Sequence, residues 1–487
     1  MNRILNKTVM PLLLALSLTA CQTPPKQPEP VQDDATLAFG WTQLQQSTLN
    51  HLREQSFGEA NINIKQMMAF AGSDPEKWEY IRKAMVSMPP EMATELIDQA
   101  LAKPFIQQQP EERFAFSRLL TQLKQEAAAL ALINGVIKDD KQVPYVYWRA
   151  RLYLLLDEEA KADKDYQWLL KRDSGNPDYI GQYATLLNYL QRDEDALALL
   201  QQHENQVDLL FRQIILLLQQ GDRGTAEDKL VQLKPLAANA DLSAAQKLEI
   251  GELAFWLDDH DYSMSLLTSI KSGDQLNAAK LLIGNLLVAQ EDFARAAVVF
   301  HQVQNGPEEH AIPAYQYEIE LHKKQGNTDE ALAVANTGLS MFKDHKDLLY
   351  SRAMLFESMD DIASLEVDLQ RILTLEPDNA DALNALGYTW ADRDMNLDQA
   401  YELILQAHEI RPTDKAILDS VGWIYYKKGD LDQAEKYLRL ATANNLSDLE
   451  SYQHLVIVLQ ALGKQAEAAA VEAKIAEYFP SAEKLPH

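Results

Sequence analysis

Leu383, Leu386, Gly387, Trp390, Ala400, Ala407 and Pro412 set out an order of residue types that the chain then repeats. It returns as Leu418, Val421, Gly422, Tyr425, Ala434, Ala441 and Leu446. A looser third copy reads Tyr452, Leu455, Val456, Leu459, Ala468, Ile475 and Pro480. The small residue expected at the tightest crossing steps by 34 from Ala400 to Ala434, and by 34 again to Ala468.

A generic amphipathic bundle would show a 3.6-residue periodicity without this longer register. A 34-residue period with this order of small and large residues is the helix–turn–helix signature of the tetratricopeptide repeat. The mechanics explain the residue types. Glycine inside a helix costs roughly 1 kcal/mol against alanine, so Gly387 and Gly422 imply a compensating close approach of two helices. Ala400, Ala407, Ala434 and Ala441 serve the same approach, and Leu383, Trp390, Leu418, Tyr425 and Leu438 fill the remaining space. Pro412 and Pro480 cannot donate an amide hydrogen, so each is expected just beyond a second helix.

Working toward the N-terminus, the repeats degrade. Pro177 is read as closing one, with Trp148 in its large slot; Ala196, Ala226, Ser265, Ala296, Ala331 and Leu365 are read as later tight positions. From Ala196 to Ala468 the steps are 30, 39, 31, 35, 34, 35, 34 and 34, about nine repeats in all. The predicted fold is all-α: a superhelical solenoid of antiparallel helix pairs. Its predicted organisation is a signal peptide over 1–20, an acylated cysteine and tether over 21–34, an N-terminal helical region over 35–140, degenerate repeats over 141–376 and regular repeats over 377–487. In the N-terminal region, Met67, Met68, Met85, Met88 and Met92 admit a methionine-lined groove, although at helical spacing core packing is the simpler reading.

Composition narrows function. The 487 residues exceed one compact core, so several domains or an elongated array are required. Lys and Arg total 45 against 72 Asp and Glu, a net charge of −27, which disfavours nucleic-acid partners. Cys21 is the sole cysteine, so no intrachain disulfide forms. Ahead of it, Arg3 and Lys7 precede an apolar run, Val9 to Leu18, too short to span a bilayer and suited to export. Pro24, Pro25, Pro28 and Pro30 then make the tether semi-rigid.

Catalytic patterns are missing from the sequence. His203-Glu204 and His408-Glu409 lack the second histidine of a zinc-protease motif, and Gly221 and Gly224 lack the rest of a phosphate loop. No Gly-x-Ser-x-Gly elbow occurs. Asp139-Asp140 and Asp360-Asp361 read as solvated turns. The expectation is a binding protein, with no enzyme activity, cofactor or metal. First helices should present Asp381, Asn384, Tyr388 and Ala391, then Ala416, Asp419, Trp423 and Tyr426, then Glu450, Gln453, Ile457 and Gln460. Asn384, Tyr388, Asp419, Trp423 and Tyr426 are the candidate protein-binding residues, since aromatic anchors among polar groups suit a peptide or helix groove. The alternative is that these rings pack against the neighbouring repeat.

Leu18-Thr19-Ala20-Cys21 resembles the bacterial lipobox, which implies cleavage before Cys21 and its acylation. Gln22, where the resemblance would place aspartate for inner-membrane retention, points to the outer membrane, facing the periplasm. With Asn384-Ala385-Leu386-Gly387-Tyr388-Thr389 and Ile417-Leu418-Asp419-Ser420-Val421-Gly422-Trp423, the chain resembles the large tetratricopeptide lipoproteins of proteobacterial outer membranes. Within them it looks like the lipoprotein partner of the periplasmic carboxyl-terminal processing protease of pseudomonads. The resemblance implies an adaptor that binds and activates or localises the protease and delivers peptidoglycan hydrolases to it. A passive scaffold for envelope assembly is the alternative function.

Overall fold

A computed structural model describes residues 35–443 and 448–479. The expected signal peptide, Cys21, the tether and the repeat positions Leu446 and Pro480 lie outside the described residues. The chain divides into two units, Met1–Arg212 and Gln213–His487. Each is built from helices, with no strand among the described residues.

In the first unit, the helices Ala35–Arg53, Phe57–Phe70, Pro75–Val86, Pro90–Leu101 and Pro104–Gln108 precede three pairs. These are Pro110–Gln122 with Glu126–Asp139, Val143–Leu155 with Glu159–Leu170, and Pro177–Tyr189 with Asp193–Gln201. The repeat plan therefore starts ahead of residue 141. Pro177, expected to close a repeat, opens the next helix at a position whose amide needs no partner, and the Asn176 side chain caps it. Met67, Met68, Met85 and Met88 are buried, which settles them as core.

In the second unit, pairs run from Ala244–Trp256 with His260–Thr268 to Leu449–Ala461 with Gln465–Tyr478. At the helix crossings the small residues are needed. A Cβ on Gly422 would sit 2.5 Å from Leu438 Cγ, and one on Gly387 would sit 2.7 Å from Ile404 Cγ1. Ala400, Ala434 and Ala407 are fully enclosed. One tight position is corrected: Ser263, not Ser265, is the buried residue, and its Oγ donates to the Gly251 carbonyl at 2.6 Å. The steps around it become 37 and 33, counted from Ala226 to Ser263 to Ala296.

Turns inside the pairs share one backbone device. The second residue past the first helix is left-handed: Lys124, Asp157, Gln191, Gly221, Asp258, Glu291, Gly326, Asp360, Asp394, Gly429 and Gly463. The next amide donates back into the helix it leaves, as Asp259 N to Ala254 O at 2.8 Å and Asp430 N to Tyr425 O at 2.9 Å. In Asp222, Asp259, Asp292, Asp361 and Asp430, that same next residue caps the second helix with its carboxylate. Asp360-Asp361 is such a turn, one residue left-handed and the other capping.

A buried polar lock also recurs, once in each unit. Arg352 donates to Asp368 through Nε and Nη2, both at 2.7 Å, and through Nη1 to Asn336 of the preceding pair at 2.7 Å. Arg149 repeats this with Asp165 at 2.8 and 2.7 Å and with Asn134 at 3.2 Å. Each lock ties three helices together at a fixed place in the repeat.

Candidate functional site

The first helices Ala380–Asp392, Lys415–Lys427 and Leu449–Ala461 pack directly on one another and line one face of the second unit. Gly387, Gly422 and Val456 occupy the eighth position of these helices. The ninth, Tyr388, Trp423 and Ile457, and the fifth, Asn384, Asp419 and Gln453, lie one turn apart on a shared side.

The structure separates the candidates into two groups. Asp419 and Trp423 are buried, at 6% and 7% exposure. The expectation that they stand open to a partner is corrected, because His454 of the next repeat covers them. The Trp423 ring stacks on His454 at 4.0 Å and 16°, and on Tyr426 at 4.9 Å and 21°. His454 Nδ1 lies 3.0 and 3.1 Å from the two Asp419 carboxylate oxygens. A carboxylate can only accept there, so Nδ1 carries the proton. Ala391, also expected on the open face, is fully buried.

Tyr388, Tyr426 and Asn384 remain half-buried at the margin of this stack. The Tyr388 hydroxyl donates to Glu450, and its ring lies 6.2 Å from that of His454. Burial, then the adjacent Glu450 charge, holds that hydroxyl well above its ordinary range of ionisation. Lys427 Nζ lies 5.2 Å from the Trp423 ring and donates to the Asp392 carbonyl and to Asp394 Oδ1, both at 3.0 Å. Asn384 Oδ1 and Trp423 Nε1 are enclosed without a hydrogen-bond partner.

His454 escaped the sequence reading because the histidines show no ligand-like spacing. The available signal was its distance from Asp419: 35 residues, one repeat further on. Burial pulls the His454 pKa down, but the hydrogen bond and charge of Asp419, with Glu450 and Asp392, outweigh it and leave the value raised. A raised folded value means that the contribution is complete below the unfolded value of about 6.5 and fades as pH rises through the folded one. Thermal melts of the second unit's transition should therefore fall on going from mildly acidic to alkaline pH. His454→Gln should flatten that dependence; an unchanged slope in the variant would assign it elsewhere.

The Asp419–His454 pair is not wired to a nucleophile. The neighbouring hydroxyls are committed, Ser420 Oγ to the Ala416 carbonyl and Ser451 Oγ to Asp448. Among the described residues, no group of three or more His, Cys, Asp or Glu side chains is placed to hold a metal. No helix among them is long and apolar enough to cross a membrane. What the face offers is aromatic surface, hydrogen-bonding groups and charge, the equipment of protein recognition.

These features are those of an all-α array of antiparallel helix pairs of the tetratricopeptide kind. Residues 417–447 match the profile of the tetratricopeptide repeat. The chain is 37% identical over 197 residues to the TPR repeat-containing protein PA4667 of Pseudomonas aeruginosa, spanning 40% of this chain and 33% of that protein. It is 29% identical over 91 residues to bacteriophage adsorption protein A of Escherichia coli, spanning 18% of this chain and 9% of that protein. The chain thus spans a third or less of the length of these curated relatives. Among solved structures, it is similar to the Cut9–Hcn1 hetero-tetramer of the APC/C, with 16% identity, 92% of this chain and 95% of that chain covered, and a TM-score of 0.38. A tetratricopeptide repeat protein of Parabacteroides merdae gives 17% identity, 43% and 81% coverage, and a TM-score of 0.35. None of these matches indicates a catalytic family.

Proposed function

We propose that this chain is an outer-membrane-anchored periplasmic adaptor. It binds a carboxyl-terminal processing protease, activates or localises it, and delivers peptidoglycan hydrolases as substrates. The observation that carries the recognition part of this reading is the half-buried margin of Tyr388, Tyr426 and Asn384 around a rigid stack. Rigid rings beside unsatisfied polar groups bind with little further loss of side-chain freedom. The anchoring part is supported by Leu18-Thr19-Ala20-Cys21 and by the proline-rich segment after it. The protease part rests on the family resemblance carried by Asn384–Thr389 and Ile417–Trp423.

The test is capture and activation. Purified full-length chain should retain a periplasmic carboxyl-terminal processing protease and raise its rate of hydrolase cleavage. Tyr426→Ala combined with Asn384→Ala should weaken capture by about tenfold or more while the pH dependence set by Asp419 and His454 survives. Retention of envelope assembly machinery, with proteolysis unchanged by the chain, would refute the protease reading.

A further inference from the structure

The first unit carries a second feature on its first helices, with a different chemistry. In the helices Pro110–Gln122 and Val143–Leu155, the eighth residues are Ser117 and Ala150, both fully buried at the close crossing. The ninth residues, Arg118 and Arg151, occupy the slot that Tyr388 and Trp423 fill in the second unit. Both arginines lie against one indole. The Arg118 guanidinium is 6.0 Å from the Trp148 ring and the Arg151 guanidinium 5.6 Å, with Arg151 also 6.0 Å from the ring of Tyr147.

That indole is fixed. Trp148 is buried, and its Nε1 donates to Ser117 Oγ at 3.1 Å, while Ser117 Oγ donates to the Ala129 carbonyl at 2.9 Å. Phe114 and Tyr179 extend the aromatic floor, 6.3 Å from Trp148 and 4.9 Å from Tyr147 respectively. Further along, Arg212 donates to Thr185 Oγ1 at 3.3 Å, in room left by Gly181, where a Cβ would meet its Nε at 2.9 Å.

Among the described residues, neither Arg118 nor Arg151 has an ion pair or hydrogen bond. In the same unit Arg82, Arg113, Arg149 and Arg192 are paired with Glu112, Asp139, Asp165 and Asp163. With 72 acidic residues against 45 basic ones, an internal carboxylate is the cheap solution for an arginine, and here it is missing twice in one slot. A guanidinium held by its face on an aromatic ring keeps its N–H edge available for planar, bidentate carboxylate recognition. Long polyphosphates are the poorer match, because the cationic row is only two arginines long.

We propose that Arg118 and Arg151, seated on Trp148, form a docking surface for an acidic peptide segment of a partner protein, gripping its carboxylate side chains. It lies in the first unit, and its test uses no protease, so it stands or fails apart from the adaptor reading.

The probe is a short fluorescein-labelled peptide of alternating glutamate and serine, titrated against the full chain at low salt and read by anisotropy. Binding should weaken about tenfold in Arg118→Gln/Arg151→Gln and recover in part in Arg118→Lys/Arg151→Lys. Arg172→Gln should leave it unchanged, although Arg172 also lies on an indole, 4.1 Å from Trp168. A matching glutamine–serine peptide should not bind. The double Gln variant should keep the wild-type melt, since it removes no ion pair. Equal binding by the double Gln variant, or by Arg172→Gln and the double variant alike at a reduced level, overturns the proposal. So does failure of the full chain to bind the glutamate peptide, tighter binding of oligothymidylate, or salt-sensitive self-association that the double variant abolishes.

Discussion

Trp423→Ala is expected to destabilise the second unit by about 3–5 kcal/mol, the cost of emptying a buried indole site. The ring is 7% exposed and stacks face to face with His454 at 4.0 Å. Its removal strips one wall from the Asp419–His454 pair and opens a void between two repeats. Repeat arrays lose cooperativity when one interface weakens, so the expected record in urea is a separate early transition and not a uniform shift. Tyr426→Ala, at the margin, should cost distinctly less. If Trp423→Ala left the urea profile within about 1 kcal/mol of wild type, a load-carrying role between repeats would be ruled out, and the ring would return to consideration as an exposed anchor.

Arg352→Leu should cost a similar amount, about 3–5 kcal/mol, through a different mechanism. Asp368 is 2% exposed and takes two hydrogen bonds from Arg352. Without the guanidinium, a carboxylate stays enclosed with no counter-charge, and Asn336 loses its donor as well. The double variant Arg352→Leu/Asp368→Leu should recover most of the loss, because it removes both buried charges together. Chemical denaturation of the three proteins decides the matter: a double variant no more stable than the single one would show that desolvation is not the governing cost.

The regular C-terminal repeats were legible because their small residues sit where two backbones must approach. A glycine whose Cβ would collide with Leu438 or Ile404 leaves a mark in the sequence at a fixed period. The Ser265 assignment failed where that period stretches. The preceding helix Arg223–Ala238 runs on through Pro235, so the next pair begins late, and an error of two residues turns a helical position to the opposite face. Asp419 and Trp423 share a row of the helix Lys415–Lys427, at its fifth and ninth positions. Whether a row faces a partner or the next repeat depends on a side chain 35 positions away, His454, which no local pattern announces. The Asn–Arg–Asp lock was invisible for the same reason: its members come from three helices, and each alone looks like an ordinary surface polar residue.

The left-handed turn residues carry an implication for how this chain tolerates heat. Asp157, Gln191, Asp258, Glu291, Asp360 and Asp394 hold a backbone geometry that, for side chains bearing a Cβ, costs on the order of 1 kcal/mol. Gly221, Gly326, Gly429 and Gly463 adopt it freely at the equivalent place. The connectors are therefore a distributed reserve of unreleased stability, reachable by single glycine exchanges that leave helix packing alone; Asp394 is set apart, because its carboxylate accepts from Lys427 beside Trp423.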